Sequence, residues 1–417
     1  MKVIIANRYF FPDESASSRL VSSLALALAR RGLTVEVLTG RRLHDDASRV
    51  LQAFETVGSV RVHRQWTTGY GRGRLAGRVV DDVAFHLATM ARLLSLARPG
   101  DVCIVCTDPP LLAASTLMAS TLRGAALVNW ILDLYPEIAM DLGVVGRGSL
   151  LAHAALFLRN VTLRRARMNV ALTRRMASHL ASLGIPGATL SVVPPWSDGE
   201  AIRPLPSTAS SARREWGLTG RFVVGYSGNL GRAHEFETIL NAAERLSHRV
   251  DIVFLFVGGG HRRAWVKAEV QRRRLANVVM KPLQPRERLS DTMAAADAHL
   301  VSLLPAMEPY IVPSKFHGIL AAGRPTLFIG APDGEVATAV RAAGCGTALA
   351  IGDADGLARW IVTLADNPMR VQEMGARARR LFDDTYTEAR GVAAWTELIL
   401  SLAPSLRDVP ASASQYP

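Results

Sequence analysis

The chain has 417 residues, of which 49% are hydrophobic and 20% charged, a balance typical of globular proteins rather than disordered chains. Its formal charge of +13 comes from 49 basic residues, only four of them lysines, without the interleaved aromatic residues of a nucleic-acid surface. The three cysteines exclude a disulfide framework, and Cys103 and Cys106 lie in an apolar, strand-like run that predicts buried core rather than a redox pair.

No stretch reaches the ~18 uninterrupted apolar residues of a transmembrane helix. The longest apolar stretches, LLAASTLMASTL and SLLAHAALFL, are predicted to form buried helices. The N-terminal MKVIIANRYFFPDE is typical of a first strand rather than of a signal peptide. We therefore expect a cytoplasmic protein.

Short apolar runs alternate with helical periodicities in the first half of the chain. VIIA predicts a strand, and Leu20, Leu24 and Leu28 mark one face of a helix that ends at Gly32. This alternation predicts a parallel sheet with helices on both faces. Further strands are predicted in TVEVLT, VRVHRQ, DVCIVCT, ALVNWIL, MNVALT and SVVP, and helices around 78–97, 109–122, 149–166 and 173–183.

A segment rich in proline and serine, SDGEAIRPLPSTASSARREWG, interrupts the alternation, which then restarts at RFVVGYS. Later helices are predicted to begin at Glu235, Arg262, Ser314 and Glu335. Ligands of such sheets bind at the carboxyl ends of the strands, so two facing domains create one cleft. The predicted units are a Rossmann-like domain 1–198, a linker 199–220, a second Rossmann-like domain 221–385, a helix 386–402 returning to the first domain, and a flexible tail 403–417.

The loop GYSGNLGRAHEFETIL runs from a predicted strand into a helix and contains Gly228, Asn229 and Gly231. Glycines allow close backbone approach, and a helix start offers free N–H groups. With Arg232 and His234 as cationic or donor groups, the loop predicts an anion cradle. A plain glycine-rich turn is the alternative.

A second candidate, MEPYIVPSKFHGILAAGRPTLFIG, places Ser314 and Lys315 in the first turn of a predicted helix after Pro313. A lysine is unfavourable there because the helix dipole prefers acidic groups. The position therefore indicates a bound anion such as a diphosphate, with an exposed, solvated lysine as the alternative. Gly258, in VGGGHRRAW, is interpreted either as a close-approach position or as part of a flexible turn.

In the first half, DLYPE places Asp133 just after a strand, where a carboxylate can orient or deprotonate an acceptor hydroxyl. Capping of the next turn is the alternative. The early loop NRYFFPDESASSRL brings Ser15 and Arg19 to the same edge of the sheet. The alternative is that this loop only caps the following helix, with Ser17 or Ser18 as the N-cap residue. We find no metal-ligand spacing, and a cleft that neutralises a diphosphate with cations needs no metal.

These motifs resemble the retaining glycosyltransferases of family 4, and in particular the bacterial branch that builds O-antigen, colanic acid and exopolysaccharides. The resemblance rests on FFPDESASSRL, TDPPLL, DLYPE, GYSGNLGRAHEFETIL, ADAHLVSL and PSKFHGILAAGRP, over about residues 1–390. It implies a GT-B fold, a UDP-sugar donor, no cofactor, Arg232 and Lys315 as ligands of the diphosphate, Asn229 and Gly231 along the same loop, and a base near Pro282 and Leu283. Together with the candidates from the loops above, the predicted catalytic residues are Asp133, Arg232 and Lys315. The predicted donor-binding residues are Ser15, Arg19, Gly228, Asn229, Gly231, Gly258, Pro282, Leu283, Glu308, Ser314 and Glu335.

The chain departs from the family pattern where many members have two glutamates, the second binding the ribose. Tyr310 and Gly318 stand at those positions, so Glu308 or Glu335 is expected to substitute. The predicted function is transfer of a hexose or N-acetylhexosamine to a lipid-linked or saccharide acceptor. A UDP-sugar epimerase and a catalytically idle assembly subunit are the alternatives.

A basic, amphipathic stretch at 69–98 predicts docking of the enzyme on anionic lipid at the inner face of the cytoplasmic membrane. An ordinary domain helix with a solvated face is the alternative.

Overall fold

The computed structural model describes residues 1–44, 46, 48–70 and 75–402. The tail predicted to be flexible and part of the predicted docking stretch, residues 71–74, lie outside the described residues.

The first domain is built on an eight-stranded sheet with the order β3-β4-β2-β1-β5-β6-β7-β8. All neighbouring strands are parallel except β3 and β4, which are antiparallel. The apolar runs predicted as strands form β1, β2 and β4 to β8, whereas β3, with its half-exposed sequence FETV, had no strong apolar signal. The strands are β1 Lys2–Ala6, β2 Thr34–Gly40, β3 Phe54–Val57, β4 Val60–Gln65, β5 Val102–Cys106, β6 Ala126–Ile131, β7 Met168–Ala171 and β8 Leu190–Val192.

Helices cover both faces of this sheet, as the alternation predicts. They are α1 Ala16–Arg30, α2 Leu75–Leu96, α3 Leu112–Leu122, α4 Glu137–Asp141, α5 Leu150–Arg165 and α6 Arg174–Ser182. One face carries α1, while α3 contacts both α2 and α5 on the other face. The buried Cys103 and Cys106 belong to the core, and burial raises the pKa of both thiols.

The second domain has a six-stranded, fully parallel sheet with the order β11-β10-β9-β12-β13-β14. Its strands are β9 Phe222–Ser227, β10 Ile252–Val257, β11 Val278–Lys281, β12 Ala298–Ser302, β13 Thr326–Ile329 and β14 Gly346–Leu349. Its helices are α7 Ser211–Glu215, α8 Glu237–Arg245, α9 Arg263–Arg272, α10 Leu289–Ala294, α11 Lys315–Ala321, α12 Glu335–Ala343, α13 Ala354–Ala365 and α14 Pro368–Thr385.

The last helix, α15 Glu388–Ser401, packs on the first domain rather than on the second. Its Trp395 is fully buried against Trp130, with ring centroids 4.8 Å apart, and Trp196 stacks on Trp130 at 5.9 Å. Arg31, directly after α1, donates to Thr396 of α15 at 2.7 Å. The predicted architecture, two doubly wound α/β domains with C-terminal helices packing back across, is confirmed.

Two local expectations are wrong. Ser15, and neither Ser17 nor Ser18, occupies the N-cap position of α1, and its side chain makes no cap bond. The stretch SLLAHAALFL is not a buried helix, because Leu150, 89% exposed, and its apolar neighbours face outward. Among the described helices, none combines the length and apolar character needed to cross a membrane.

Candidate active site

The glycine loops that follow β9 and β10 pack directly against each other. Leu230 N–H donates to the Gly259 carbonyl at 2.7 Å. A Cβ at Gly258 would lie 2.0 Å from the Gly228 carbonyl oxygen, and one at Gly260 would lie 2.1 Å from Asn229 Oδ1. Gly258 and Gly260 also have positive φ angles, 144° and 122°. These contacts rule out a loose turn, because the glycines are required for two backbones to touch.

Lys315, the first residue of α11, reaches across to this double loop. Its Nζ lies 4.0 Å from the centroid of the Tyr226 ring and contacts the Tyr226 hydroxyl. The Asn229 carbonyl oxygen and His234 Nε2 are each 3.4 Å from it. Burial lowers the pKa of Lys315 to about 7. Within the part of the chain that the structure describes, no carboxylate pairs with this ammonium.

His234 lies behind Lys315 in a fixed orientation. Its Nδ1 is 2.5 Å from the Ser302 carbonyl oxygen at the end of β12, so Nδ1 carries the proton and Nε2 presents a lone pair. Burial, together with the positive charge of Lys315, lowers the pKa of His234 to about 3. Of the two characters expected for His234, cationic or donor, the ring has the second toward Ser302, and it is a neutral acceptor toward Lys315.

Arg232 is exposed on the same loop and makes no ion pair with any described residue. Ser314 precedes Lys315, is exposed, and makes no side-chain cap bond. Pro282 and Leu283 follow β11 and are exposed, Leu283 by 67%. The Gly258 N–H donates to the Lys281 carbonyl at 3.2 Å, which joins the end of β11 to the glycine loops. The ends of these strands thus form one continuous surface. Cationic side chains such as Arg232 lie at one end of it, and the exposed Leu283 lies at the other.

On the first domain, Asp133 follows β6 and is exposed. Its N–H donates to Thr107 Oγ1 at 3.1 Å, which fixes its backbone at the ends of β5 and β6. Its carboxylate makes no hydrogen bond to any described residue, so the alternative of a capping role has no contact to support it. Desolvation by the surrounding protein, followed by the negative charge of Asp108, raises the pKa of Asp133 to about 7.

The loop before α1 meets the second domain. Glu14 Oε1 lies 3.8 Å from Arg286, which also binds Asp198 at 3.2 Å. Burial lowers the pKa of Arg19, Glu14 opposes this change, and Arg286 adds to it. The buried Oγ of Ser15 has no hydrogen-bond partner among the described residues. Arg286 has no distinguishing sequence signal, because it lies in a polar turn after a short strand, and sequence reasoning missed it.

Glu308 and Glu335 lie at a contact between the domains. Glu308 is only 3% exposed, and its Oε2 accepts from the Glu335 N–H at the start of α12 at 3.2 Å. Glu335 accepts from the Arg175 N–H of α6, and Arg175 also binds Asp333 at 2.9 Å. Burial raises the pKa of both glutamates. Glu308 is therefore enclosed, with Oε2 on the start of α12 and Oε1 without a hydrogen-bond partner among the described residues. Its role as a substitute ribose ligand, shared as an expectation with Glu335, stays a prediction.

The positions of the two missing family glutamates are filled by packing residues. The Tyr310 ring contacts His179 edge-on at 5.3 Å, and its carbonyl accepts from the Leu134 N–H at 2.9 Å. A Cβ at Gly318 would lie 3.5 Å from Ile202 Cδ1. In the described ranges there is no cluster of three or more His, Cys, Asp or Glu residues that could hold a metal ion.

Two domain families match the chain. The glycosyl transferase 4-like domain matches residues 16–196, and the glycosyl transferases group 1 domain matches residues 210–381. The matches follow the two domains of the structure, and their boundary falls in the segment between β8 and β9.

Two curated bacterial proteins are similar in sequence. One is the putative colanic acid biosynthesis glycosyl transferase WcaI of Escherichia coli (strain K12), 27% identical over 210 residues, which are 49% of this chain and 51% of that protein. The other is the probable glycosyltransferase WbjE of Pseudomonas aeruginosa, 25% identical over 76% of this chain and 78% of that protein. The match to WcaI therefore spans about half of that relative's length.

Solved structures share the fold over nearly the whole chain. Sucrose-phosphate synthase from Thermosynechococcus elongatus has a TM-score of 0.76 at 16% identity, covering 96% of this chain and 99% of that one. Anabaena HepE in complex with UDP and glucose has a TM-score of 0.73 at 14% identity, covering 96% and 100%.

Proposed function

Because this chain is built of a glycosyl transferase 4-like domain and a glycosyl transferases group 1 domain, we propose that it transfers a hexose or N-acetylhexosamine from a UDP-sugar to a lipid-linked or saccharide acceptor. The proposed setting is the synthesis of a cell-surface polysaccharide at the inner face of the cytoplasmic membrane. The similarity to a colanic acid transferase supports this setting, and the shared fold with a protein that binds UDP supports the donor class. The proposed reaction retains the anomeric configuration and uses no cofactor or metal.

The observation that carries the proposal is the uncompensated ammonium of Lys315. The half-buried side chain places it against Tyr226, Asn229 and His234, and no carboxylate of the described chain neutralises it. Burying a cation without a partner is unfavourable, so the site is incomplete until an anion binds. A diphosphate at the ends of β9 and β12 satisfies this requirement and extends the nucleotide toward the exposed Leu283.

The chemistry follows from where charge develops. As the bond between the sugar C1 and the diphosphate oxygen breaks, negative charge accumulates on the departing UDP, where Lys315 and Arg232 stabilise it. The new bond joins C1 of the sugar to the acceptor oxygen, and the proton of the acceptor hydroxyl passes to the diphosphate of the departing UDP. Asp133 accepts a hydrogen bond from that hydroxyl and orients it. Ser15 and Arg19 lie on the same side of the cleft, at the contact with Arg286.

Incubation of the protein with a panel of UDP-, GDP-, TDP- and CDP-sugars tests the donor class. Slow release of free UDP from one UDP-sugar is expected, and NMR of a trapped glycoside should show the donor's anomeric configuration. Isomerisation of the sugar without release would instead identify an epimerase, and binding without turnover would identify an idle subunit. Lys315→Gln is the matched variant, because it removes the charge while keeping an unbranched, polar side chain.

A further inference from the structure

Helix α5 buries a charged side chain and exposes its large apolar ones, the opposite of an ordinary surface helix. Its inward face buries Arg159, which is 6% exposed and pairs with Glu137 at 2.5 Å. Its outward face consists of large apolar side chains spaced along one side of the first three turns. These are Leu150, 89% exposed, Leu151, 68%, Phe157, 67%, and Leu158, 44%.

The neighbouring helices continue this apolar surface. Helix α3 lies between α2 and α5 and exposes Met118 and Leu122, which are one turn apart. On α2, Val79, Val80, Val83 and Leu87 are each 45–56% exposed. Single exposed apolar residues are ordinary, but a contiguous set over three adjacent helices marks an interaction surface. We call these ten residues on α2, α3 and α5 the three-helix face.

The charges around the three-helix face are of one sign. Arg78 and Arg92 of α2 and Arg164 and Arg165 of α5 are exposed and make no ion pair with any described residue. The three helices contain only two acidic residues, Asp81 and Asp82, and both lie near the guanidinium of Arg8 in ion pairs. The exposed ionic groups of the face are therefore all cationic.

Two exposed aromatic residues lie in the segment that leads from β4 to α2. Trp66 is 63% exposed and Tyr70 is 73% exposed. The Tyr70 N–H donates to Asp81 Oδ1 at 3.0 Å, which fastens this loop to α2. Tryptophan and tyrosine prefer the boundary between lipid headgroups and hydrocarbon. An apolar surface with unpaired arginines and exposed aromatic residues matches the chemistry of an anionic bilayer.

We propose that the three-helix face docks on the surface of an anionic lipid bilayer, with the leucines and Phe157 of α5 inserted below the headgroups. The sequence-predicted stretch 69–98 supplies only the α2 part of this surface. Arg159 of α5 pairs with Glu137, which follows Asp133 by four residues, so the face extends to the loop that carries Asp133. The saccharide headgroup of a lipid-linked acceptor held in the bilayer would thus lie near Asp133. This consequence rests on the proposed function, whereas the docking itself does not.

Flotation of the full chain with vesicles tests the docking directly. The wild type should bind vesicles containing anionic phosphatidylglycerol and bind neutral phosphatidylcholine vesicles at least about tenfold more weakly. The double variant Arg164→Gln/Arg165→Gln should weaken binding to anionic vesicles about 10- to 30-fold, on the basis of the usual contribution of each basic residue. Leu151→Gln/Phe157→Gln should weaken it at least about tenfold, because less apolar surface is inserted.

Matched controls come from the second domain. Val250 and Met369 are 82% and 65% exposed, and Arg359 and Arg380 are exposed without an ion pair to a described residue. Val250→Gln/Met369→Gln and Arg359→Gln/Arg380→Gln should leave vesicle binding unchanged. Equal losses in these controls, equal binding to neutral vesicles, or no binding at all would overturn the proposal. Self-association in the absence of lipid, if Phe157→Gln abolishes it in sedimentation experiments, would also overturn the proposal. The face would then be the contact between two copies of this chain.

UDP release in solution separates this proposal from the proposed function. The Leu151→Gln/Phe157→Gln variant should hydrolyse a UDP-sugar at the wild-type rate in the absence of lipid. Loss of vesicle binding with normal hydrolysis supports the docking face. A wild type that binds vesicles but turns over no sugar nucleotide supports docking and contradicts the proposed function.

Discussion

The ammonium of Lys315 lies over the ring of Tyr226, 4.0 Å from its centroid, and contacts its hydroxyl. Tyr226 is fully buried, so this contact attaches the start of α11 to the end of β9 from inside the protein. The ring face and the hydroxyl oxygen both attract a cation, but neither cancels its charge. The lysine is held in place by neutral groups and keeps its charge available for a ligand.

Lys315→Ala should lower the turnover number by about 10²- to 10³-fold, the scale observed when one group that stabilises a developing charge is removed. Arg232→Ala should fall in a similar range. The reason is that both cations interact more strongly with the departing diphosphate than with the intact donor. Steady-state measurement of UDP release checks this, and EDTA should leave the wild type active.

Thermal unfolding provides the control for Lys315→Ala. Because the ammonium is half-buried without an anionic partner, its removal should leave the melting temperature unchanged or raise it. Near-normal turnover in the variant, or full inhibition of the wild type by EDTA, would mean that other groups handle the diphosphate.

The affinity for UDP should fall as the pH rises above about 7. Burial lowers the pKa of free Lys315 to about 7, and a bound diphosphate favours the charged form and raises that pKa again. At a pH between the pKa of free Lys315 and the higher pKa of Lys315 in the UDP complex, binding of UDP must take up a proton. The dissociation constant of UDP should therefore rise by up to about tenfold per pH unit in this range. Calorimetry in buffers of different ionisation enthalpy measures this uptake. Lys315→Arg is the matched control, since arginine stays charged and should remove the pH dependence.

The apolar periodicity of the sequence was sufficient to predict the two domains, because buried parallel strands require continuous apolar runs. The sequence also predicted Lys315 in the first turn of a helix, where a lysine opposes the dipole, and it is the first residue of α11. It could not show that His234 is neutral, because that depends on the Ser302 carbonyl, which is distant in sequence. The outward face of α5 was assigned to the core because an apolar run alone does not reveal which side of a helix is covered.

Asp133→Asn should reduce transfer to an acceptor far more than binding of UDP. The carboxylate has no hydrogen-bond partner among the described residues, so its replacement breaks no protein contact. Because the pKa of Asp133 is raised to about 7, transfer should increase with pH up to about 8 as the carboxylate forms. Comparison of kcat for transfer with the UDP dissociation constant, across this pH range, checks both statements.

Asp133→Asn should also change the pH dependence of the melting temperature in a defined direction. A carboxyl whose folded pKa is raised binds more protons in the folded state, so its contribution falls as the pH rises from about 4 to 7. Asp133→Asn removes that dependence and should therefore melt higher than the wild type at pH 8 but not at pH 3.5. Early melting at pH 8 together with lost UDP binding would instead make Asp133 a structural residue.

The buried pair of Glu137 and Arg159 joins the Asp133 loop to α5, and it should behave as a coupled unit. Both side chains are less than a tenth exposed, with 2.5 Å between Glu137 Oε1 and Arg159 Nη2. Glu137→Met leaves an uncompensated buried guanidinium and should destabilise the first domain by about 3–5 kcal/mol. The double variant Glu137→Met/Arg159→Met buries two apolar side chains instead and should recover most of that loss. Urea unfolding followed by far-ultraviolet circular dichroism reports the difference. Additive losses in the double variant would show that the two residues act independently.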